Sequence, residues 1–328
     1  MARLAFVGDV MLGRLVAERL RAGMKAEQCW GDVAPLLQAA DGVIANLECA
    51  ITTRREPWRR TPKAFHFRAD PAALDVLKAG NISAVCLANN HVMDFEAAGL
   101  IDTLTRLDQA GIAHAGAGCD QTAASAAARF SCAGLAIALL GITDNEPGFA
   151  ADGARPGTAY VDLEERTAPP RPSADEIKAL RADGARLIIL SCHLGPNMVL
   201  APAAQIRRYR HLCVANGIDI VHGHSAHIVQ GIEQQDHALI LHDTGDILDD
   251  YAVDPIYRND WSFVFLVDLE GAMISRITLC PVELSLAQVR LARGRVAEAI
   301  CARMLAQCAS LGTTLRPVEE GLEMIILG

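Results

Sequence analysis

The 328-residue chain has no Cys-x-x-Cys pair among its ten cysteines, no apolar run of membrane-spanning length and no excess of basic charge. Each absence narrows the function. A transmembrane helix needs about 20 consecutive apolar residues, so membrane insertion is not expected. The N-terminal MARLAFVGDVML has one arginine and a short apolar run closed by Gly8 and Asp9. That is too short for a signal-peptide core and cleavage site, so the expected location is the cytoplasm. The net charge of −9 argues against nucleic acid as a partner, because phosphate binding needs clustered Lys and Arg. Cys86, Cys132, Cys192 and Cys280 lie inside apolar runs. They read as small buried hydrophobes kept reduced rather than as a disulfide framework. There is no internal repeat and no low-complexity tract.

What remains is a chain with 51% hydrophobic residues, enough for a sizeable core. Short apolar runs alternate with amphipathic stretches, the pattern of an α/β protein. Candidate strands are 3–7, 42–45, 82–88, 185–191, 218–221, 238–242 and 262–269. Ser173 with Glu176 three residues on is a capping box that opens a helix ending near Gly184. A second helix is predicted over 205–216, stopped by Gly217. Residues 284–311 read as one or two further helices. The segments 52–71, 144–157 and 167–173 read as loops. The expected organisation is one domain over 1–283 with a C-terminal helical extension, 284–328, packed on it.

The polar residues fall at informative places. Five candidate strands in succession deliver Asp, Glu, Asn or His just past their carboxyl ends: Asp9, then Asn46 and Glu48, then Asn89, Asn90 and His91, then His193, then His222, His224 and His227. That edge of an α/β sheet is where ligands bind. Imidazole, carboxylate and amide oxygen together make a mixed N/O ligand set, suited to Mn, Fe, Zn or Ni rather than to a thiolate site. His222, at the strand end itself, reads as a packed residue behind the ligands. Asn46 either orients Glu48 or satisfies the turn. Cys192 should point away from His193 into the core, by strand alternation.

The motifs GDVMLGR (8–14), NLECAIT (46–52), NNHVMDF (89–95), HLG (193–195), GHSAHIVQGIE (223–233) and GDILDDY (245–251) resemble, in order, those of the CapA-type proteins of poly-γ-glutamate capsule biosynthesis. These belong to the calcineurin-like metallophosphoesterase superfamily. The resemblance implies a two-sheet sandwich with helices on both outer faces (α/β/β/α), and a centre of two divalent transition-metal ions (Mn, Fe or Zn). It implies Asp9 on the first metal, Glu48 bridging, Asn90 and His193 on the second, and an imidazole from each of His224 and His227. His91 would face the substrate as proton donor or electrostatic stabiliser, oriented by Asp94. Asp246 would lie near the substrate. Met11 stands where the wider superfamily has a histidine, which leaves the first metal one imidazole short.

The basic run Arg54, Arg55, Arg59, Arg60, Lys63 and Arg68 reads either as a solvated loop or as a clamp on an anionic small molecule. Lys63 and Arg68, beside Phe65 and Phe67, are the residues expected to face inward. The expected activity is metal-dependent hydrolysis of a phosphoester. Hydrolysis or transfer at a γ-glutamyl amide is the alternative, since a metal-activated water serves either bond. A third reading is a non-catalytic accessory protein of polymer synthesis. The sequence sets no oligomeric state.

Overall fold

The computed structural model describes residues 1–164 and 171–326. Two large sheets organise it. The ten-stranded sheet is built around Ala2–Val10, which runs parallel to Gly42–Leu47 and to the short Asp246–Leu248, and antiparallel to Trp261–Glu270. Gly42–Leu47 in turn lies parallel to Ile82–Cys86. The six-stranded sheet has four central parallel strands: Ala238–Leu241, Ile220–His224, Leu187–His193 and Leu135–Thr143. All seven candidate strands are found. Leu135–Thr143 is a further one that the sequence reading did not single out.

Alternation along the strands divides the apolar residues among three cores. Leu4, Phe6 and Ile44 from the larger sheet meet Leu139, Ile189, Ile220 and Leu239 from the smaller one. Their neighbours Ala5, Val7, Val43 and Val85 face outward, beneath Val16, Leu77 and Leu100 of the helices Arg14–Arg21, Ala73–Ala79 and Glu96–Ala110. On the other side, Leu140, Ile188, Leu190 and Cys192 lie beneath Ile177, Ile206 and Cys213 of Ala174–Ala182 and Ala204–Ala215. This is the expected α/β/β/α sandwich. The capping box is formed, with Ser173 and Glu176 bonding each other's backbone N–H. Of the loop read over 167–173, residues 167–170 lie outside the described residues.

The C-terminal region differs from expectation. Residues 284–291 form a hairpin, not a helix: Met273–Ser285 turns back into Gln288–Leu291 with Leu284 opposite Val289 and Val282 opposite Leu291. One helix follows, Gly294–Ser310. Arg316–Val318 and Gly321–Ile325 then add two strands to the edge of the larger sheet. Position 283 therefore falls within a strand, and the extension is part sheet. The apolar spacing of 284–291 fits both periods, and the pairing partner decides between them. The helix inserts Ile300, Met304 and Cys308 into the core between the sheets; burying a side chain of this size contributes about 1.5–3 kcal/mol.

All ten cysteines are unpaired and eight of them are buried. None of the described helices is long and apolar enough to cross a membrane.

Candidate metal centre

The parallel registers bring the polar strand ends together. Asp9 is level with Asn46 on one side and Asp246 on the other. In the second sheet His193 is level with His224. Glycine allows the backbone to close up behind two of these residues. A Cβ on Gly8 would lie 1.7 Å from the Gly245 carbonyl oxygen, and one on Gly223 would lie 2.0 Å from that of His242. Past His224 the chain turns sharply, with Ser225 and His227 both at positive φ. Such conformations in residues other than glycine are uncommon and collect at functional sites. Here they swing His227 back toward Asp9.

Two groups of side chains result: Asp9 with His193 and His224, and Asp9 with Glu48, His227 and Asp246. Within each group the ligating atoms all lie within 4.8 Å of one another, and every residue is buried. Asp9 is common to both groups, the position the sequence reading gave to Glu48. Glu48 nonetheless has His227 Nε2 and His193 Nε2 each 3.9 Å from its Oε1. Asp246, expected near a substrate, is instead fully buried, with Oδ1 2.8 Å from His227 Nδ1. Met11 is fully buried in the outer core, and its sulfur accepts the Gly13 N–H at 3.1 Å. Asp246 supplies a second aspartate carboxylate to the group of Asp9, Glu48 and His227.

The residues fit a divalent cation. Asp9 Oδ2, Glu48 Oε1, Asn90 Oδ1 and Asp246 Oδ2 are buried oxygens that make no hydrogen bond. Orphaned buried acceptors are costly unless something positive sits against them. Burial first, and then Glu48 and Asp246, push the Asp9 carboxyl well above its ordinary range. Burial raises Glu48 and Asp246 too. Burial opposes a charge on His227, but Asp246, Glu48 and Asp9 outweigh it and hold its pKa well up. A cluster of carboxylates that borrows a proton in this way is one that a cation relieves. Burial keeps His193 and His224 well below the usual imidazole range, hence neutral, the form that ligates. Their Nδ1 atoms approach to 2.9 Å, a separation that needs a proton or a cation shared between them.

Neighbours orient these groups. Asn46 Nδ2 donates to Asp9 Oδ1 at 2.8 Å, so it steers Asp9 rather than Glu48. Asn89 donates to Asn46 Oδ1 at 3.0 Å and to the Leu47 carbonyl at 2.9 Å, pinning that turn. His222, fully buried as expected, has Nε2 3.0 Å from the Val7 carbonyl. A carbonyl only accepts, so Nε2 carries the proton and Nδ1 accepts from Ser191 Oγ at 3.1 Å. Ser191 Oγ in turn accepts from His224 Nε2 at 2.9 Å. This chain fixes His224 with its bare Nδ1 toward Asp9 and His193. Tyr251 donates its hydroxyl to Glu48 Oε2 at 3.1 Å. Neither Ser191 nor Tyr251 was picked out from the sequence. The position of Ser191, two residues before His193 on the same strand face, was the signal available.

His91 and Asp94 pair closely, Nδ1 to Oδ2, at 2.6 Å. Asp94 Oδ2 also accepts the Phe67 N–H, and the Phe67 ring stacks on His91 at 3.7 Å. Burial lowers the His91 pKa to about 3 and raises that of Asp94 to about 7, with Lys63 opposing the latter. Lys63 is therefore not a free clamp. Its side chain is 5% exposed and spans Asp94, Glu146 and the Asn90 carbonyl. Arg68 donates to the Arg54 carbonyl at 2.9 Å and lies 3.9 Å from Asp70. Internal partners thus take up Lys63, whereas Arg68 keeps a 26% exposed side chain.

Comparison with known proteins agrees with the motifs. The family described as bacterial capsule synthesis protein PGA_cap matches residues 3–251. The chain belongs to that family. A probable polyglutamine synthesis accessory protein of Mycobacterium tuberculosis is 31% identical over 302 residues, 87% of this chain and 77% of that protein. The PGA biosynthesis protein CapA of Bacillus subtilis is 29% identical over 248 residues, 75% of this chain and 63% of its own length. A hypothetical protein from Thermus thermophilus has a similar solved structure at 13% identity, with a TM-score of 0.50 over 86% of this chain and all of that one. That likeness speaks to the fold.

Proposed function

We propose that this member of the PGA_cap family is a metal-dependent hydrolase that cuts a phosphoester of an anionic small molecule. The observation that carries the reading is the convergence of three orphaned buried carboxylate oxygens, on Asp9, Glu48 and Asp246, with the imidazoles of His193, His224 and His227. Asp9, Glu48, Asn90, His193, His224, His227 and Asp246 would hold two divalent ions. Such ions, when bound, polarise the substrate and lower the pKa of a bound water. Asp94 holds the His91 Nδ1 proton and fixes the ring, with Phe67 stacked on its face. With its one proton on Nδ1 and its pKa lowered to about 3, His91 is neutral and presents a bare Nε2, set to accept a hydrogen bond or a proton at the centre rather than to donate one. Lys63 supports this pair through Asp94 and anchors the Asn90 backbone.

Two other readings have support. The same ligand set would serve hydrolysis or transfer at a γ-glutamyl amide, the alternative that a relative named for PGA biosynthesis brings with it. The word accessory in the name of another relative favours a partner that binds metal without turnover. The deciding experiment loads untagged protein with Mn, Fe or Zn, counts bound metal, then assays a panel of phosphomonoesters and phosphodiesters beside γ-glutamyl amides. Phosphoester turnover that chelation abolishes is the expected result. Turnover of the amides alone moves the assignment to that bond. About two ions bound with neither bond cut supports the accessory role.

A further inference from the structure

We propose that Arg14, framed by Phe65, Phe67 and Tyr251, is the subsite for a second anionic group of the substrate, remote from the bond that is cut. This rests on the hydrolase reading above. Arg14 sits just past the Asp9 strand at φ +48°, a conformation uncommon outside glycine. Its guanidinium is gripped at two points by Asp250, Nε to Oδ2 at 3.2 Å and Nη2 to Oδ1 at 3.1 Å. The Asp250 carboxylate is fully buried, whereas the Arg14 side chain is 35% exposed. One edge of the fork is thus held by the protein and the rest is open to solvent.

The position of Arg14 ties it to the centre. Its Cζ lies 5.4 Å from the Phe67 ring and 5.9 Å from the Tyr251 ring. Phe67 stacks on His91, and Tyr251 bonds Glu48. One aromatic ring therefore separates the guanidinium from each of these residues. Phe65 lies on the same guanidinium at 5.5 Å and is 61% exposed, a large apolar surface left in water beside a cation. A held guanidinium with an aromatic flank suits a carboxylate or a phosphate on a short carbon chain, through paired donors. Lys63, 5% exposed and paired with Asp94 and Glu146, does not compete for that role.

The test uses metal-loaded full-length protein and calorimetric titration with three probes: methylphosphonate, 4-phosphonobutyrate and butane-1,4-bisphosphonate. A two-headed probe should bind about tenfold or more tightly than methylphosphonate, the scale of one added charge-assisted pair. Arg14→Ala should erase that advantage while metal content and methylphosphonate binding stay as in wild type. Arg14→Lys should keep part of it. The exposed Phe65→Ala, which cannot disturb the core, should reduce it a few-fold. The two-headed probe with the larger Arg14-dependent gain distinguishes a carboxylate from a phosphate. An advantage that survives Arg14→Ala, or none in wild type while methylphosphonate binds, overturns the subsite alone. Metal-loaded wild type that binds no methylphosphonate overturns the hydrolase reading and the subsite with it.

Discussion

The two sheets bring different chemistry to one place. The larger sheet carries oxygen: Asp9 on its central strand, Glu48 and Asn90 just past two neighbours, and Asp246 on the short strand beside Asp9. The smaller sheet carries nitrogen: His193 and His224 at the ends of adjacent strands, and His227 on the turn beyond. Carboxylates packed alone would repel one another, and buried imidazoles alone would offer no charge to a cation. The difference shows why the centre lies at the seam, with Asp9 belonging to both groups. Metal binding here should read out how well the sandwich is assembled.

Removing the shared carboxylate should break the comparison outright. Asp9→Ala is expected to lose both ions by elemental analysis and all metal-dependent turnover. Two ions retained would mean that each sheet holds its metal independently. His224→Ala takes one imidazole from the nitrogen side, and about one ion should remain with Glu48, His227 and Asp246. A smaller effect is expected from His91→Asn. Metal content should be unchanged while kcat falls by about 10²–10⁴-fold, the usual worth of a positioned acid or base. Loss of metal in that variant would place His91 among the ligands instead.

Ser191→Ala sharpens the nitrogen side without touching a ligand. It removes the hydroxyl that sets the His224 tautomer, and the metal dissociation constant should rise about 10–100-fold, as for other partners of ligating histidines. An unchanged affinity would show that His224 is set by something else. The smallest effect is a pH dependence on the oxygen side. Asp9 and His227 both have raised pKa values in the fold, so chelated protein binds more protons folded than unfolded. Below about pH 6.5 the depressed His193 and His224 act in the opposite sense. Above it their contribution is constant, and the melting temperature of chelated protein should fall as pH rises. Metal-loaded protein should have a shallower slope, because the cation takes the place of the borrowed protons at Asp9 and His227 while Asp94, raised to about 7, keeps its own. Parallel pH profiles would count against a metal at the Asp9–His227 group.

Much of this was legible in the strand ends. A residue just past an apolar run is placed by local periodicity, and Asp9, Glu48, His193, His224 and His227 were all found that way. Asp246 was harder. It follows Thr244 and Gly245 on a three-residue strand, and only its pairing with Ala2–Val10 brings it level with Asp9. Lys63 looked like a free cation because its partners Asp94 and Glu146 are far away in sequence. The hairpin at 284–291 looked helical because its strand partner defines its period.

The sequence by itself determined the α/β class, the seven strands and the chemistry at their ends, since all three follow from short-range patterns of apolar and polar residues. Only the tertiary structure decided which carboxylate both groups share, that Asp246 joins them, that Ser191 and His222 set the His224 tautomer, and that Arg14 rather than Lys63 keeps an exposed edge. Those outcomes depend on the register between strands and on the packing of one sheet against the other. Both are contacts between residues distant in the chain, which no local pattern encodes.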